Sequence, residues 1–375
     1  MPVYDRRNPF LSKIISRALL NKPGCTRETW HFVLDLQGSD MEYTPGDSVG
    51  IIPENDPKKV EKIIQALAAK GTEEIDDGKG QKYTFRDYLL RKANLAHPTK
   101  KLFQEIAAVK KDAFEKLLEK ENEEALKLYL AQVDVEELVS EQQVQFEPTI
   151  FCKLLAPLLP RLYSIASAKS CVGHEVHLTV ARARYHIDSK ERRGICSHFL
   201  CDLANENEAS IPLYLQPTRD FCLPQNDATP IIMIGPGTGV APFRAFMQER
   251  ISRDAPPRKC WLFFGFLNLK NDFFYEECWY AMVNSGMLSV YVAFSRDQEE
   301  KIYVQDRMWQ KREEFWQWLT NGAVIYVCGD ASRMAKDVDH MLHTIAQSEG
   351  KLDEIGARDF VKALRLEKRY IKDVY

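Results

Sequence analysis

The sequence contains no long hydrophobic run. None of its apolar stretches approaches the roughly 18 to 20 residues that a membrane-spanning helix needs. The opening segment MPVYDRRNPF carries charges where a secretory signal peptide has its apolar core. We therefore expect no membrane segment and no export signal, and we expect the chain to work in the cytoplasm.

Metal-binding and disulfide patterns are also missing. The nine cysteines are scattered and form no C-x-x-C pair, so the sequence predicts neither a disulfide framework nor a zinc or iron–sulfur site. The 51 Lys and Arg residues against 54 Asp and Glu give a net charge of -3, which argues against a nucleic-acid binder held by a general basic field. We expect no metal and no nucleic-acid partner.

The sequence does contain enough apolar material for more than one core. Its 375 residues are 45% hydrophobic, which is typical of a globular chain with two or three cores. Short apolar runs alternate with turn residues at 30–36 and 43–53, and similar runs return at 161–167 and 175–181. Strands so close together along the chain indicate an antiparallel barrel or sandwich.

A helical segment interrupts this β-rich part at about residues 56–159. Val60, Ile63 and Leu67 recur at helical spacing, and the chain beyond them is rich in Lys, Glu, Leu and Ala. This composition predicts several helices that each bury one stripe. Its charge is typical of a solvated face, and a docking surface is the alternative interpretation.

From residue 229 onward, short and fully apolar strands alternate with helical patterns. The strands are predicted at 230–234, 260–264, 288–293 and 324–327. Such alternation predicts a parallel, doubly wound sheet. We therefore expect two domains: a barrel over residues 1–228 that contains the helical insertion, and a nucleotide-binding domain over residues 229–375.

A glycine-rich turn follows the first of these strands. The segment TPIIMIGPGTGVAPFRAF runs from an apolar strand through Gly235, Gly237, Thr238 and Gly239 into a helix. The backbone N–H groups of such a turn, with the helix N-terminus behind them, favour a bound pyrophosphate. The pattern is neither G-x-G-x-x-G nor a P-loop, and tight packing alone is the alternative. We favour phosphate binding.

A second candidate binding cluster follows the third predicted strand, at the end of the strand where a doubly wound sheet binds ligands. Ser295, Arg296 and Lys301 supply a hydroxyl and two cations, and Tyr303 offers an aromatic ring. These side chains suit the 2′-phosphate that distinguishes NADPH from NADH, and an adenine base. The alternative is a solvated surface cluster.

Six motifs occur in order along the chain. They are RLYS at 161–164, GICS at 194–197, GPGTGVAPFR at 235–244, SRDQEEKIYVQ at 295–305, YVCGD at 326–330 and RYIKDVY at 369–375. Together they resemble the FAD- and NADPH-binding half of the diflavin reductases, and most of all the flavoprotein subunit of bacterial sulfite reductase. The resemblance covers nearly the whole chain. It implies a ferredoxin-NADP reductase-like fold with FAD bound to the barrel and NADPH to the second domain.

The resemblance implies FAD contacts on several segments. Arg161 pairs with the pyrophosphate, Tyr163 stacks on the flavin, and Ser164 lies near N5 of the ring. The other implied FAD contacts are Leu162, Thr179, Val180, Ala181, Tyr185, Gly194, Ile195, Cys196 and Ser197. A guanidinium suits a phosphate and an aromatic face suits an isoalloxazine. From the residues alone, the alternatives are an exposed arginine beside a core tyrosine, and a helix cap at Ser197.

The resemblance also implies which residues take part in the reaction. Cys328 lies beside C4 of the nicotinamide, and Asp373 faces it across the hydride path, where a carboxylate stabilises positive charge that develops on the ring. Ser164 belongs to the same group, and Tyr375 covers the flavin until nicotinamide displaces it. Two more implied NADPH contacts are Gln305 and Asp337. Without the resemblance, a buried structural thiol is the better interpretation of Cys328.

The expected function is hydride transfer from NADPH to FAD, followed by transfer of single electrons to a separate acceptor protein: a flavodoxin, another FMN protein, a ferredoxin or a haemoprotein. The barrel pattern begins about thirty residues after Met1. An FMN domain needs about 100 to 150 residues, so we expect none in this sequence. Two alternatives stay open: a ferredoxin or flavodoxin reductase that runs toward NADPH, and a non-catalytic subunit that binds a partner through the helical insertion.

Overall fold

The structure is a computed structural model that describes residues 4–253 and 259–375. Its strands, in chain order, are β1 Phe10–Ser12, β2 Ile14–Leu19, β3 Thr29–Asp35, β4 Ser48–Ile51, β5 Glu74–Asp76, β6 Lys82–Thr84, β7 Ala93–Asn94, β8 Ala156–Pro157, β9 Arg161–Ser164, β10 Glu175–Ala181, β11 Arg184–Ile187, β12 Lys190–Arg193, β13 Ile211–Gln216, β14 Ile231–Ile234, β15 Cys260–Phe266, β16 Ser289–Phe294, β17 Val324–Gly329 and β18 Tyr370–Val374.

The helices alternate with these strands in the second half of the chain and are grouped together in the first half. They are α1 Pro57–Ala66, α2 Phe85–Arg91, α3 Lys100–Val109, α4 Lys111–Leu118, α5 Glu123–Gln132, α6 Val135–Gln142, α7 Pro148–Leu154, α8 Lys169–Val172, α9 Ile195–His198, α10 Ala241–Ser252, α11 Leu269–Asp272, α12 Glu276–Asn284, α13 Val304–Gln310, α14 Arg312–Thr320, α15 Met334–Ser348 and α16 Glu354–Leu366. A 3₁₀ turn at Gly237–Val240 leads into α10, and a π turn at Phe199–Leu203 follows α9.

The chain forms two compact units. Unit 1 consists of Met1–Gly50, Leu162–Ala181 and Glu206–Tyr375, and unit 2 consists of Ile51–Arg161 and Arg182–Asn205. Unit 1 holds most of the antiparallel strands together with the parallel sheet, and unit 2 holds the helices of the insertion. This division by packing differs from the two domains predicted at 1–228 and 229–375, and those limits stay a prediction.

The antiparallel part of unit 1 consists of two small sheets. One has the order β1-β13-β4-β9 and the other β10-β3-β2. A bridge between Ile165 and Leu178 joins them, just beyond the end of β9. On β3, Phe32 and Leu34 are buried and alternate with partly exposed residues, because successive side chains of a strand point to opposite faces. The antiparallel β-rich part is therefore confirmed.

The parallel part of unit 1 is a five-stranded sheet with the order β16-β15-β14-β17-β18. The adjacent strands all pair in parallel, and β14 lies at the centre. The chain adds β15 and β16 on one side of β14, and β17 and β18 on the other, so the strand order reverses between β14 and β17. A doubly wound sheet binds its ligands at the carboxyl ends of the strands beside such a reversal. The predicted fold class is confirmed.

One strand of this sheet was not predicted. The edge strand β18, YIKDV, carries Lys372 and Asp373 among its five residues, so it lacks the apolar run that marks the other four. It forms because Arg369 to Val374 continue the ladder of β17, in which Cys328 is paired with Asp373. The register of this edge strand decides where Asp373 lies.

Helices cover both faces of the parallel sheet. Met233 and Tyr326 pack with Phe243 and Phe246 of α10 on one face. Ile232 and Ile325 point to the other face, where Trp261, Phe315 and Val338 are buried. Because both faces are covered, β14 and β17 are apolar at nearly every position.

Unit 2 is built on the predicted insertion, which the structure resolves into α1 to α7 and two short hairpin-like sheets. Its core contains fully buried aromatic and aliphatic side chains: Phe85, Leu89, Phe103, Ile106 and Phe151. The stripe predicted on α1 is buried at Val60 and Ile63. Asp56 caps α1 and Pro57 occupies its first turn, where a missing N–H costs nothing. The helical insertion is confirmed.

A buried carboxylate holds three parts of unit 2 together. Asp134 is 5% exposed and caps α6, where its Oδ1 accepts the N–H of Glu137 at 2.9 Å. Its Oδ2 accepts Nζ of Lys59 on α1 at 2.7 Å and lies 3.3 Å from the guanidinium of Arg192 on β12. One side chain therefore joins α1, α6 and the β11–β12 hairpin.

We expect Asp134→Ala to lower the free energy of unfolding by about 2 to 4 kcal/mol. The change removes a helix cap, worth about 1 kcal/mol, and leaves two cations without this partner. Urea unfolding of the full chain, followed by far-UV circular dichroism, measures the loss. The matched control is Thr84→Ala, which removes only the exposed cap of α2, with an expected loss of about 1 kcal/mol. Equal losses for the two variants would contradict this account of Asp134.

Across the described part of the chain, no helix has the length and apolarity needed to cross a membrane. Within the same residues, no group of His, Cys, Asp and Glu side chains is arranged to hold a metal ion.

Candidate functional site

Three residues that are distant in sequence meet at the carboxyl ends of β17 and β18. The hydroxyl of Ser164, at the end of β9, donates a hydrogen bond to Oδ2 of Asp373 at 2.8 Å. Sγ of Cys328 lies 3.9 Å from the same oxygen. We call Ser164, Cys328 and Asp373 the Ser–Cys–Asp cluster. The structure thus brings together three of the four residues predicted to take part in the reaction, all within unit 1.

The thiol of this cluster is neutral at physiological pH. Cys328 is completely buried, and burial, followed by the nearby Asp373 carboxylate, raises its pKa well above the usual value. A thiol in such surroundings is a poor nucleophile, because only the thiolate reacts. Cys328 therefore offers an S–H group and a close-packed surface rather than covalent chemistry.

The glycine-rich loop packs directly against this cluster. A Cβ at Gly239 would lie 2.1 Å from the carbonyl oxygen of Cys328, and one at Gly235 would lie 2.4 Å from the carbonyl oxygen of Gly239. Gly237 has a φ of +59°, which disfavours other residues. Tight packing therefore accounts for Gly235 and Gly239. The same packing holds the loop against the end of β17, and phosphate binding by the loop stays a prediction.

The fourth predicted reaction residue, Tyr375, lies beside this loop. It extends the pairing of β18, since its N–H donates to the carbonyl of Gly329 at 3.1 Å. Its hydroxyl oxygen lies 2.8 Å from Oγ1 of Thr238. Tyr375 is 54% exposed. The structure therefore brings Tyr375 and Thr238, which were predicted separately, into direct contact.

The second predicted cluster lies at the carboxyl end of β16. Arg296 and Lys301 are exposed, and Tyr303 is 46% exposed. Ser295 is buried, and its hydroxyl donates to the carbonyl of Phe266 at 3.1 Å, while its predicted role stays a prediction. The hydroxyl proton of Ser295 is therefore used in a hydrogen bond within the protein. The two cations are the groups that remain suited to a phosphate.

Two further predicted contacts lie on helices. Gln305 is in the first turn of α13, where the carboxylate of Asp306 accepts the N–H of Tyr303 at 2.7 Å. Asp337 is exposed in the first turn of α15. The turn before α15 is held by Asp330, whose carboxylate accepts the N–H of Arg333 at 2.6 Å. This backbone hydrogen bond lowers the pKa of Asp330, so the carboxylate stays ionised.

The FAD residues predicted in unit 1 lie on β9 and β10. Leu162 is 48% exposed and Tyr163 is partly exposed. On β10, Val180 is buried and Ala181 is exposed. Thr179 is also buried, and its hydroxyl is 2.6 Å from the hydroxyl of Tyr275. The side chain of Thr179 is therefore engaged within the protein.

The FAD residues predicted in unit 2 lie at the start of β9, on β11 and in the turn that opens α9. Arg161 and Tyr185 are exposed. Gly194 begins the turn, Ile195 is partly exposed and Cys196 is buried. The hydroxyl of Ser197 accepts the N–H of Ala183 at 3.1 Å and donates to the carbonyl of Gly194 at 3.1 Å. Ser197 does not cap α9, because the N-cap residue of that helix is Gly194 and no side-chain cap is present there.

The sequence patterns did not predict a polar cluster next to β10. The hydroxyl of Tyr275 is 3.0 Å from Nδ1 of His31 as well as close to Thr179, and Nε2 of His31 is 3.2 Å from His177. The guanidinium of Arg244 lies 5.0 Å from the centre of the Tyr275 ring. Tyr275 has a φ of +59°, a strained conformation that its surroundings hold in place.

Burial keeps this polar cluster neutral apart from Arg244. Burial is the largest cause that lowers the pKa of His31, to about 3, and the charge of Arg244 and the neighbouring His177 act in the same direction. Burial also raises the pKa of Tyr275 to about 12. One feature of the sequence could have indicated this cluster. Arg244 is a charged residue in the otherwise apolar first turns of α10.

Comparison with known proteins identifies the class of this chain. Residues 2–199 match the family model described as FAD binding domain, and residues 233–340 match the one described as oxidoreductase NAD-binding domain. The chain therefore belongs to the FAD-binding domain family, and its second half carries an oxidoreductase NAD-binding domain. It is an oxidoreductase with an FAD-binding and an NAD-binding domain, as predicted.

Among curated proteins, the chain is similar to proteins named sulfite reductase [NADPH] flavoprotein alpha-component. It is 40% identical to the one from Photorhabdus laumondii subsp. laumondii over 374 residues, 39% to that of Bacillus subtilis (strain 168) over 376, and 38% to that of Escherichia coli (strain K12) over 374. Each match covers 99% of this chain and 62% of the relative's length. The predicted resemblance is confirmed, and the roles of individual residues stay predictions.

We expect Cys328 to resist alkylation in the folded protein. Because its pKa is raised, the reactive thiolate forms only well above the pH at which an ordinary cysteine reacts. Treatment with iodoacetamide at pH 8, followed by peptide mass spectrometry, should label the exposed Cys171, Cys222 and Cys278 first. In Asp373→Asn, labelling of Cys328 should rise only slightly, because burial is the larger cause. Labelling of Cys328 as fast as Cys278 would contradict this view.

Proposed function

We propose that this chain passes electrons from NADPH through FAD to a separate acceptor protein. The observation that carries the proposal is the Ser–Cys–Asp cluster, which lies at the reversal of strand order where a doubly wound sheet binds its ligand. The matches to an FAD-binding and an oxidoreductase NAD-binding domain support it.

The residues along one edge of the parallel sheet fit a nicotinamide dinucleotide. In sheet order, the exposed cations Arg296 and Lys301 follow β16, the glycine-rich loop follows β14, and the Ser–Cys–Asp cluster ends β17 and β18. This order matches that of the 2′-phosphate, the pyrophosphate and the nicotinamide in NADPH. Cations and backbone N–H groups are the usual partners of the two phosphate sites.

The side chains of β9 in unit 1 fit a flavin. Leu162 presents exposed apolar surface, and Tyr163 offers a partly exposed aromatic ring. Ser164 continues the same strand toward Asp373. We propose that Leu162, Tyr163 and Ser164 hold the flavin with its reactive edge at Ser164.

FAD, if held by these residues, would supply two-electron and one-electron redox chemistry, which no side chain of this sequence has. Asp373 holds a negative charge where positive charge develops on the nicotinamide, and Ser164 fixes the orientation of that carboxylate by donating to Oδ2. Neutral Cys328 fills the end of β17 without introducing a competing charge. Cys328 is buried, and Ser164 and Asp373 are partly buried, so their contact with water is reduced and their electrostatic effect is stronger than it would be in water.

The direct test is to purify the protein, identify its flavin by chromatography, and follow flavin absorbance under anaerobic conditions after adding NADPH. We expect bound FAD and rapid reduction. In Asp373→Asn, FAD should stay bound and the reduction rate should fall about 100-fold, since one stabilising group is lost. The matched control is Asp359→Asn, an exposed carboxylate on α16, which should leave the rate unchanged. A colourless protein, or one with only FMN, would refute the proposal.

Anaerobic reduction of the flavin, measured at several concentrations of NADPH and of NADH, tests the preference for NADPH. Replacing Arg296 and Lys301 with Ala should raise the KM for NADPH about 10- to 100-fold and leave that for NADH nearly unchanged, because only NADPH carries the phosphate that these cations contact. Lys362→Ala on α16 is the charge-matched control. A parallel rise in both KM values would argue for a structural role instead.

The acceptor is proposed as a separate protein. The relatives are named as the flavoprotein alpha-component of sulfite reductase, which supports another protein component as the acceptor. Action in the cytoplasm stays a prediction.

A further inference from the structure

The carboxylate of Asp339 on α15 accepts hydrogen bonds from three side chains at the edge of the parallel sheet. Its Oδ1 accepts Nζ of Lys372 at 2.9 Å and the hydroxyl of Tyr370 at 3.0 Å, and both donors belong to β18. The same oxygen accepts the guanidinium of Arg365 near the end of α16. One carboxylate oxygen therefore joins α15 and α16 to the edge strand, and all of these elements belong to unit 1.

The ring of Tyr370 lies among the same charged groups. Nζ of Lys372 is 4.7 Å and Cζ of Arg365 is 5.4 Å from the ring centre, and Tyr370 is 4% exposed. A cation over an aromatic face is attracted to it. Burial acts to raise the pKa of Asp339, but the hydrogen bonds from Lys372 and Arg365 outweigh burial and lower the pKa to about 2. The carboxylate of Asp339 is therefore ionised at neutral pH.

Asp339 and the Ser–Cys–Asp cluster contact opposite faces of β18. Tyr370 and Ile371 pack in the cores on the two different faces of the parallel sheet. Because side chains alternate along a strand, Lys372 shares the face of Tyr370, and Asp373 shares the face of Ile371. The ion pair between Asp339 and Lys372 thus fixes the strand at the residue next to Asp373.

Only the beginning of β18 is anchored by the chain that precedes it. The N–H of Arg369 donates to the carbonyl of Leu364 at 2.7 Å, and its Nε donates to the carbonyl of Ala323 at 3.2 Å. Beyond this point β18 is an edge strand that pairs with β17 on one side. Lys372 and Asp373 bury little apolar surface there, so the contacts of Asp339 hold the part of the strand where the apolar pattern is interrupted.

We propose that Asp339 is a positioning residue for Asp373. By holding Lys372 and Tyr370, it keeps the carboxylate of Asp373 in the Ser–Cys–Asp cluster. This inference rests on the proposed function. A catalytic group that moves by about 1 Å can slow a reaction about 100-fold. Because the ladder between β17 and β18 remains without Asp339, we expect a smaller effect on hydride transfer, about 3- to 10-fold.

The first measurement is hydrogen–deuterium exchange of the full chain, followed by mass spectrometry of peptides from residues 368–375. In Asp339→Ala, exchange of this segment should become about five- to tenfold faster, because hydrogen bonds to a charged group are lost, while β14 keeps its rate. Asp339→Glu retains a carboxylate and should restore most of the protection. The matched control is Asp359→Ala, which removes an exposed carboxylate from α16 and should change neither rate.

The second measurement is the rate of anaerobic flavin reduction at saturating NADPH. In Asp339→Ala the rate should fall about 3- to 10-fold, while the FAD content and the KM for NADPH stay nearly unchanged. In an Asp373→Asn background, the same Asp339→Ala change should slow reduction no further, because the carboxylate through which Asp339 acts is already lost.

The outcomes separate this inference from the proposed function. If NADPH reduces the unaltered chain but Asp339→Ala leaves the rate unchanged, the positioning role is wrong and the proposed function stands, even where exchange of β18 becomes faster. An equal loss of rate in the Asp373→Asn background would also overturn it, because Asp339 would then act by another route. A chain whose FAD is not reduced by NADPH overturns the proposed function and the positioning role together.

Discussion

The site depends on one carboxylate oxygen, Oδ2 of Asp373, which accepts the hydroxyl of Ser164 at 2.8 Å and lies 3.9 Å from Sγ of Cys328. This oxygen links the antiparallel strands to the parallel sheet within unit 1. Its position is set by the pairing of Cys328 with Asp373 in β17 and β18. A slip of one residue in that register would turn Asp373 to the opposite face of the sheet. The register of the edge strand β18 therefore determines the geometry of the site.

The glycine-rich loop shows how packing and function share the same residues. Gly239 allows the loop to touch the carbonyl of Cys328, and without this close approach the loop could not frame the end of β17. The contact between Thr238 and Tyr375 depends on that placement. Packing alone explains the glycines of this loop. The same packing also places the loop beside the Ser–Cys–Asp cluster.

Much of the architecture could be predicted because its signals are local. Period-2 alternation, short apolar strands before helices and a Gly-Pro-Gly-Thr-Gly turn each act over a few residues. The edge strand β18 was missed because two of its five residues are charged. The hydrogen bond from Ser295 to Phe266 could not be predicted, because the two residues are 29 positions apart in the sequence. The Tyr275 cluster was missed because its members come from β3, β10, α10 and the turn before α12.

By itself, the sequence determined the kinds of elements, their order and the class of nucleotide-binding oxidoreductase, since hydrophobic period, turn residues and ordered motifs are properties of short segments. Only the tertiary structure decided which side chains share a partner. Ser164, Cys328 and Asp373 lie on three strands, and Thr238 and Tyr375 are 137 residues apart. Their meeting depends on strand order and register. These are set by the burial of distant apolar faces against one another, which no local pattern records.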